Sequence, residues 1–225
     1  MTGKSLQTWV IAGLAFSLLA VSDGAGQSRK KTADPGQLAA SGATRPAGQI
    51  EEEDYAVYSA LTDELYASRG GTLLVIDKDV SGCAGTGNNV EGEKARQQEL
   101  NKLTTKMPGL SARTIADFKK KEMQCRYFES RFSLRTKYVL IDKQERNSIF
   151  FKQNVKKAWE NFFRKYPGAS GYINFSNVGF NEDHTQALVN TYRKCGGSCG
   201  AEQMVLLTKA NGKWAVTSTL KIWEL

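Results

Sequence analysis

The segment Cys195-Gly196-Gly197-Ser198-Cys199-Gly200 constrains the fold of this 225-residue chain more than any other segment. Two cysteines and three glycines in six residues do not form an ordinary core segment, and strand-like runs flank them on both sides. Glycine also permits backbone conformations with positive φ that other residues rarely adopt. The segment therefore predicts an unusual connection between two strands of a sheet.

The N-terminus has the pattern of a secretory signal peptide. Lys4 supplies a positive charge, residues 9–21 are apolar, and Ala20 and Ser22 are small residues at the spacing of a cleavage site. The apolar run is shorter than the roughly 20 residues that a membrane-spanning helix needs, and an uncleaved anchor is the alternative. We therefore predict a signal peptide over residues 1–22 and a protein that is secreted or periplasmic.

Residues 23–50 are predicted to form a flexible linker. They are rich in Gly, Ala, Ser, Gln and Pro and contain no large apolar residue before Leu38. Such a segment cannot bury enough apolar surface to offset the entropy of ordering it. Residues 51–225 remain, and their number suits a single domain with a sizeable core.

The domain mixes helical and strand-like patterns, which indicates an α+β fold. The acidic residues 51–54 are predicted to be a solvated helix start, because negative charge suits the positive end of the helix dipole. Ser111 is a predicted N-cap, with Thr114 as the alternative. The patterns predict helices after residue 51, over residues 91–106, from residue 111 and over residues 154–166, and strands over residues 72–76 and 132–141.

The last third of the chain predicts an antiparallel meander. Strand patterns cover residues 171–180, 185–192, 203–209 and 214–223. Asn211-Gly212 between the last two is the strongest short hairpin signal, because both residues must accept positive φ. We therefore expect helices packed on one face of an antiparallel sheet that ends in a β-meander, in an NTF2-like or cystatin-like layout.

The four cysteines predict two disulfides, because an even number in an exported chain favours pairing. Sequence proximity pairs Cys195 with Cys199 and leaves Cys83 with Cys125. The chain-entropy treatment of disulfides assigns about 2 kcal/mol to a ring of about five residues and about 4 kcal/mol to a loop of about forty. The first bond is therefore expected to fix a local shape, and the second to clamp a long polar excursion onto the core.

The cysteine–glycine segment is also the candidate binding loop. Gly196, Gly197 and Gly200 expose backbone N–H groups that can donate hydrogen bonds to an anion, and Arg193 and Lys194 lie beside them. The alternative is a stapled hairpin that needs glycine for its geometry only. Redox catalysis is a further alternative, although its usual Cys-x-x-Cys spacing at a helix start is missing.

No motif for catalysis, a cofactor or a metal stands out. His184 is the only histidine, so a nucleophile–base set requires it, and the cysteines do not form a zinc pattern. P-loop and dinucleotide signatures are absent from the sequence, and the letters G-x-S-x-G at residues 196–200 lie between two strand-like runs and not in the strand-to-helix turn of a nucleophile elbow. We therefore predict no catalytic, cofactor-binding or metal-binding residues. A hydrolase that uses carboxylates, or His184 with Asp183 or Glu182, is the alternative.

Aromatic residues and charge add two expectations. Net charge is +8 and the lysines are spread along the chain, which favours a solvated basic surface over a nucleic-acid interface. Weak attraction to anionic envelope polymers or to membrane surfaces fits the same charge. Seven aromatic residues are predicted to be core, with a ligand pocket as the alternative: Tyr58, Tyr66, Trp159, Phe162, Tyr166, Trp214 and Trp223.

Several short motifs together resemble an uncharacterised family of bacterial exported proteins. They are EDYAVYSA (53–60), LVI (74–76), W-x2-F-x3-YPG (159–168), VGFN (178–181), QALV (186–189), CGGSCG (195–200), VLL (205–207) and GKW (212–214). The chain departs from the family pattern at Ser198, where a hydrophobic residue is common. The family has no assigned activity, so the resemblance implies export and one domain, and it assigns no site residue.

The sequence therefore predicts a soluble exported domain that binds or interacts and does not catalyse. An envelope protein or an anionic envelope polymer is the expected partner. The alternatives are the envelope hydrolase described above and a structural envelope component without a ligand.

Overall fold

The computed structural model describes residues 48–67, 71–81 and 90–225, with backbone only for residues 90–93, 95 and 96. The predicted signal peptide, the predicted linker up to residue 47 and Cys83 lie outside these ranges. Within them, no helix combines the length and the apolar character that crossing a membrane requires.

The described residues form an α+β fold, as predicted from the sequence. The helices are α1 (Glu52–Leu65), α2 (Val90–Asn101), α3 (Leu103–Lys106), α4 (Ala112–Lys121), α5 (Lys143–Phe150) and α6 (Val155–Lys165). The strands are β1 (Leu73–Asp77), β2 (Lys137–Ile141), β3 (Ala169–Phe175), β4 (Gly179–Phe180), β5 (Gln186–Gly196), β6 (Cys199–Ala210) and β7 (Lys213–Glu224).

The strands form one sheet in the order β2-β1-β3-β5-β6-β7, with β4 beside β5. β5, β6 and β7 form the predicted antiparallel meander. β1, by contrast, pairs in parallel with both β2 and β3. Parallel neighbours need long connections, and the segments between these strands are long enough to carry helices across the sheet. The sheet is therefore mostly antiparallel, with a parallel part that the sequence analysis did not predict.

The expectation that helices pack on one face of the sheet is wrong, because they cover both. The α1 side holds Leu74 and Val189 in a core with Tyr58. On the other side, Val75 packs with α6 and Leu188 packs with α4. Neighbouring strand residues point to opposite faces, so apolar runs such as residues 74–76 and 187–189 indicate a sheet that is buried on both sides.

The predicted N-cap at Ser111 is confirmed, whereas one predicted strand is shorter than expected. The Ser111 hydroxyl accepts hydrogen bonds at the start of α4, and the Asn154 side chain does so at the start of α6. The strand predicted over residues 132–141 covers only Lys137–Ile141. Phe132 precedes it in an irregular segment and is buried against Tyr55, with ring centroids 5.4 Å apart.

Two residues near the start of α1 are more buried than predicted. Ile50, which was assigned to the linker, is 2 % exposed and lies in the α1-side core, so the fold includes residues before Glu51. Asp54, which was assigned to a solvated helix start, is 1 % exposed and pairs with Arg126 at 2.8 Å. Burial raises the pKa of Asp54 to about 6, although the nearby Arg126 acts to lower it.

Candidate ligand-binding site

The cysteine–glycine segment forms the turn of the β5–β6 hairpin. Gly196 pairs with Cys199 and Lys194 pairs with Gly200, so Cys195 is an extra residue on β5. An extra residue of this kind forms a β-bulge, which bends its strand and leaves one residue outside the ladder. The predicted disulfide joins this residue to Cys199, with the two Cα atoms 5.0 Å apart. The disulfide therefore ties the bulge to the neighbouring strand.

The backbone of β3 lies directly against this bulge. Gly171 has a φ of +117°, and a Cβ at this position would overlap the carbonyl oxygen of Lys194 and lie 2.8 Å from the Cα of Cys195. Only glycine allows both that φ value and this approach. The bulge is therefore held from two sides, by the disulfide and by β3.

None of the three glycines of the hairpin has a positive φ, which corrects the sequence-based reason for them, and two of them, Gly197 and Gly200, instead lie in close contacts. Gly196, Gly197 and Gly200 are not among the glycines with positive φ. A Cβ on Gly197 would lie 2.9 Å from Cγ1 of Val155, and one on Gly200 would lie 3.1 Å from Cη2 of Trp223. Gly197 and Gly200 therefore leave room for Val155 of α6 and Trp223 of β7 to pack against the hairpin.

A cleft of about 400 Å³ opens between the hairpin, α6 and the end of β7. We call it the cystine cleft. The hairpin, α6 and strands β3, β5 and β7 contribute most of the lining, which consists of Gly196, Gly197, Cys199, Gly200, Val155, Ala158, Trp159, Tyr172, Tyr192, Lys194, Trp223, Phe150, Gln153 and Leu225.

Aromatic contacts fix the walls of the cystine cleft. Trp159 stacks on Tyr172 with centroids 6.1 Å apart, and Tyr192 meets Trp223 edge to face at 5.3 Å. Glu202 fixes the indole of Trp223. The indole Nε1 of Trp223 donates a hydrogen bond to the Glu202 carboxylate at 2.7 Å. The second carboxylate oxygen of Glu202 accepts from Nδ2 of Asn190, also at 2.7 Å. Trp223 is therefore positioned by a hydrogen bond as well as by packing.

Both predictions hold among the seven aromatic residues that the sequence placed in the core or in a pocket. Trp159 and Trp223 line the cystine cleft, and Trp159 is also buried in the core cluster that contains Val75. The others are buried in the hydrophobic cores, namely Tyr58, Tyr66, Phe162, Tyr166 and Trp214.

The structure separates the two basic residues of the candidate binding loop. Lys194 lies at the rim of the cystine cleft, with Nζ 5.3 Å from the ring centroid of Tyr192, and is the one charged side chain among the described lining residues. Arg193 instead donates from Nη1 to the carbonyl oxygen of Ser170 at 3.5 Å and does not line the cleft. Strand alternation explains the separation, since successive residues point to opposite faces.

Residues that sequence reasoning missed include Val155, Tyr172 and Tyr192. Tyr192 lies two residues before Lys194 and therefore on the same face of β5, whereas Arg193 lies on the opposite face. Strand alternation in the sequence was thus a signal for Tyr192. Val155 and Tyr172 lie far from the hairpin in sequence, and only the fold brings them to it.

A second polar cluster lies at the carboxyl end of β1. Asp77 is 4 % exposed and forms an ion pair with Arg146, which also lies 3.7 Å from Asp79. Burial raises the pKa of Asp77 to about 6, against the lowering effect of Arg146. Both carboxylate oxygens of Asp77 already accept hydrogen bonds, one from Arg146 and one from the Asp79 N–H. This arrangement suits an ion pair that fastens α5 to β1.

His184 and Glu182 of the alternative histidine site line one cavity of about 360 Å³, but among the described residues no hydrogen bond or ion pair joins the His184 ring to a carboxylate. His184 is exposed in the turn before β5, and its ring stacks on Phe180 with centroids 4.5 Å apart. Glu182 pairs with Arg113 at 3.2 Å. Among residues 48–67, 71–81 and 90–225, no group of three or more His, Cys, Asp or Glu side chains has a geometry that could hold a metal ion.

The second predicted disulfide stays a prediction. Cys125 is disulfide-bonded, and its predicted partner Cys83 lies outside the described residues. Cys125 precedes Arg126, which binds Asp54 of α1. The segment around it is therefore also fastened to the α1 side of the sheet.

Comparisons with protein-family models, with curated proteins and with solved structures gave no match to this chain.

Proposed function

We propose that the protein is an exported, non-catalytic binding domain of the cell envelope and that the cystine cleft receives its ligand. The signal-peptide pattern and the resemblance to bacterial exported proteins support export. The observation that carries the binding proposal is a fixed cleft with aromatic walls and a single cation at its rim.

The cystine cleft is organised before any ligand arrives. The Cys195–Cys199 disulfide and Gly171 hold the bulge, and Glu202 holds Trp223. A site whose side chains are already ordered loses little conformational entropy when a ligand binds. This favours a binding role over a purely structural one, because packing alone does not require an open cleft.

The lining indicates the chemistry of the ligand. Aromatic walls favour an apolar or planar group, and Lys194 at the rim favours a negative charge beside it. The volume of about 400 Å³ lies within the usual range of ligand sites. An envelope protein or an anionic envelope polymer with such a group is the proposed partner.

Anilinonaphthalene sulfonate, an apolar ring system with one negative charge, is a suitable probe. We expect saturable binding to the folded full chain, measured by probe fluorescence. Gly197→Leu, which fills the cleft, and Lys194→Glu, which reverses the rim charge, should each weaken binding about tenfold. Lys213→Glu, at the exposed start of β7, is the matched charge control and should leave the affinity unchanged. Equal affinity in all four proteins would contradict the proposal.

A hydrolase remains the second candidate function, favoured by the raised pKa of Asp77 beside a cavity of about 370 Å³ that Lys143, Arg146 and Tyr172 also line. Its test is turnover of isolated envelope glycan and peptide by the full chain. Turnover that Asp77→Asn or His184→Ala abolishes would support the hydrolase and contradict the binding proposal. For a binding domain, we expect the wild-type chain to show no more turnover than the two variants.

A further inference from the structure

Helix α6 carries an apolar stripe whose two ends are exposed and whose central residue, Trp159, is buried. Val155, Trp159 and Phe163 are spaced four residues apart and therefore lie on one helix face. Val155 is 58 % exposed and Phe163 is 38 % exposed, whereas Phe162 on the neighbouring face is fully buried. We call Val155, Trp159 and Phe163 the α6 stripe. Its exposed ends leave apolar surface available to a partner.

The α6 stripe continues into the cystine cleft. A shallow trough of about 660 Å³ runs along the stripe and is walled at one end by Gly197 of the hairpin. Val155, Trp159 and Gly197 line both the trough and the cleft. A ligand that lies along α6 can therefore place one group in the cleft.

The shape of the trough suits a helix. From Val155 to Phe163 the stripe is about 12 Å long, which is about two helical turns. Side chains spaced four apart form the ridges that fit between the ridges of a second helix. Strand addition is less suitable, because the edge strands of the sheet, β2 and β7, do not line the trough.

The charge around the α6 stripe indicates an acidic partner. Helix α6 has four basic residues and one acidic residue, namely Lys156, Lys157, Arg164, Lys165 and Glu160. Lys157 pairs with Glu160 at 3.7 Å, and Lys165 pairs with Glu145 at 2.5 Å. Lys156 and Lys194 form no ion pair with any residue that the structure describes. A second copy of α6 would bring like charges together, whereas an acidic helix would pair with these lysines.

We propose that the α6 stripe is the docking site for an acidic amphipathic α-helix of a partner protein, which places one apolar side chain in the cystine cleft. The inference rests on the proposed binding function of that cleft and names its partner class. The apolar face of the partner covers Val155 and Phe163, and its acidic residues face Lys156 and Lys194.

The test uses a designed, end-blocked peptide of about 16 residues, with leucine and phenylalanine on one helical face and glutamate elsewhere. Binding to the full chain is measured by fluorescence anisotropy. A peptide with lysine in place of glutamate, and one with a central proline that breaks the helix, should each bind at least about tenfold more weakly. Phe163→Glu should weaken binding of the acidic peptide by a similar factor. Ile222→Glu, at an apolar residue of β7 that is 48 % exposed, is the matched control and should not.

The outcomes separate this inference from the proposed function. If the acidic peptide fails to bind while the sulfonate probe still binds and Gly197→Leu still weakens it, the helix inference is overturned and the binding function stands. If neither ligand binds, both are overturned. Equal binding of the proline peptide would exclude helix recognition. Binding to phosphatidylglycerol vesicles that depends on Phe163, without peptide binding, would identify a membrane surface as the partner and overturn the inference.

Discussion

Gly171 and Lys194 lie so close together that β3 and the bulge on β5 exclude any side chain at position 171. A Cβ there would overlap the carbonyl oxygen of Lys194 and come within 2.8 Å of the Cα of Cys195. Lys194 lines the cystine cleft, so the glycine that permits this approach also determines the position of the cleft rim. The structure of the candidate site thus depends on a residue outside the cysteine–glycine segment.

Replacing Gly171 by alanine should destabilise the fold strongly. Left-handed backbone strain contributes about 1 kcal/mol, and displacement of packed backbone adds about 1–3 kcal/mol. We therefore expect Gly171→Ala to lower the free energy of unfolding by about 2–4 kcal/mol, measured by urea denaturation. Gly109→Ala is the matched control, because Gly109 has a φ of +85° with nothing within 4 Å of its Cβ position. Equal losses in the two variants would contradict the contact with Lys194.

Removing the hairpin disulfide should affect both stability and binding. The combined substitution of Cys195→Ala and Cys199→Ala removes a ring of about five residues, whose closure stabilises the fold by about 2 kcal/mol. The freed bulge should also weaken binding of anilinonaphthalene sulfonate about tenfold. Substitution is preferred to chemical reduction, because Cys125 is disulfide-bonded as well. A loss of stability with unchanged probe affinity would show that the disulfide has no role in the cleft.

Glu202 should matter through Trp223. Its carboxylate accepts from the Trp223 indole and from Asn190. In Glu202→Gln the amide offers only one acceptor oxygen, so one of the two donors loses its partner, at a cost of about 1–3 kcal/mol. We expect lower stability in urea denaturation and probe affinity weakened about threefold to tenfold. Glu64→Gln, at an exposed residue of α1, is the control and should change neither quantity.

Asp54 should give the stability of the protein a specific dependence on pH. Burial raises its pKa from 3.8 to about 6 in the folded state. The folded state therefore binds the proton of the Asp54 carboxyl group more tightly than the unfolded state does. The resulting contribution of Asp54 to stability is complete below about pH 4 and is lost as pH rises through about 6. Asp54→Asn does not titrate. Its free energy of unfolding should therefore rise relative to wild type by up to about 3 kcal/mol between pH 4 and 7.

The measurement is urea denaturation of wild type and Asp54→Asn at several pH values in this range. Asp77 titrates in the same direction in both proteins, so its effect cancels in the difference. Arg126 loses its charged partner in the variant, which lowers the stability of Asp54→Asn as a whole. The change of the difference with pH is therefore the quantity that tests the prediction. A difference that does not vary with pH would contradict it.

Features set by neighbouring residues could be predicted from the sequence. Ser111 and Asn154 cap helices through bonds to residues two or three positions ahead. Asn211 and Gly212 form the predicted hairpin turn, with φ values of 51° and 74°. The Cys195–Cys199 pair follows from proximity along the chain. In each case the physical cause lies within a few residues, so the pattern contains the information.

Features that join distant segments could not be predicted in this way. The parallel pairing of β1 with β2 and β3 depends on where the intervening helices cross the sheet. Gly171 needs its positive φ because of a bulge on another strand. Val155 is exposed on α6, yet it lies against Gly197 only because the hairpin reaches it. The candidate binding loop was therefore located from the sequence, whereas the walls of its cleft were not.

The most direct test of the central claim is an NMR titration of the folded full chain with anilinonaphthalene sulfonate. Ligand in the cystine cleft should shift the indole N–H signal of Trp223 and the amide signals of Gly197 and Gly200 with one common dissociation constant. The indole signal of Trp214, which is buried in the α1-side core, should stay in place. Shifts confined to Trp214 or to Asp79, with the Trp223 and Gly197 signals unchanged, would contradict the claim that the cystine cleft is the binding site.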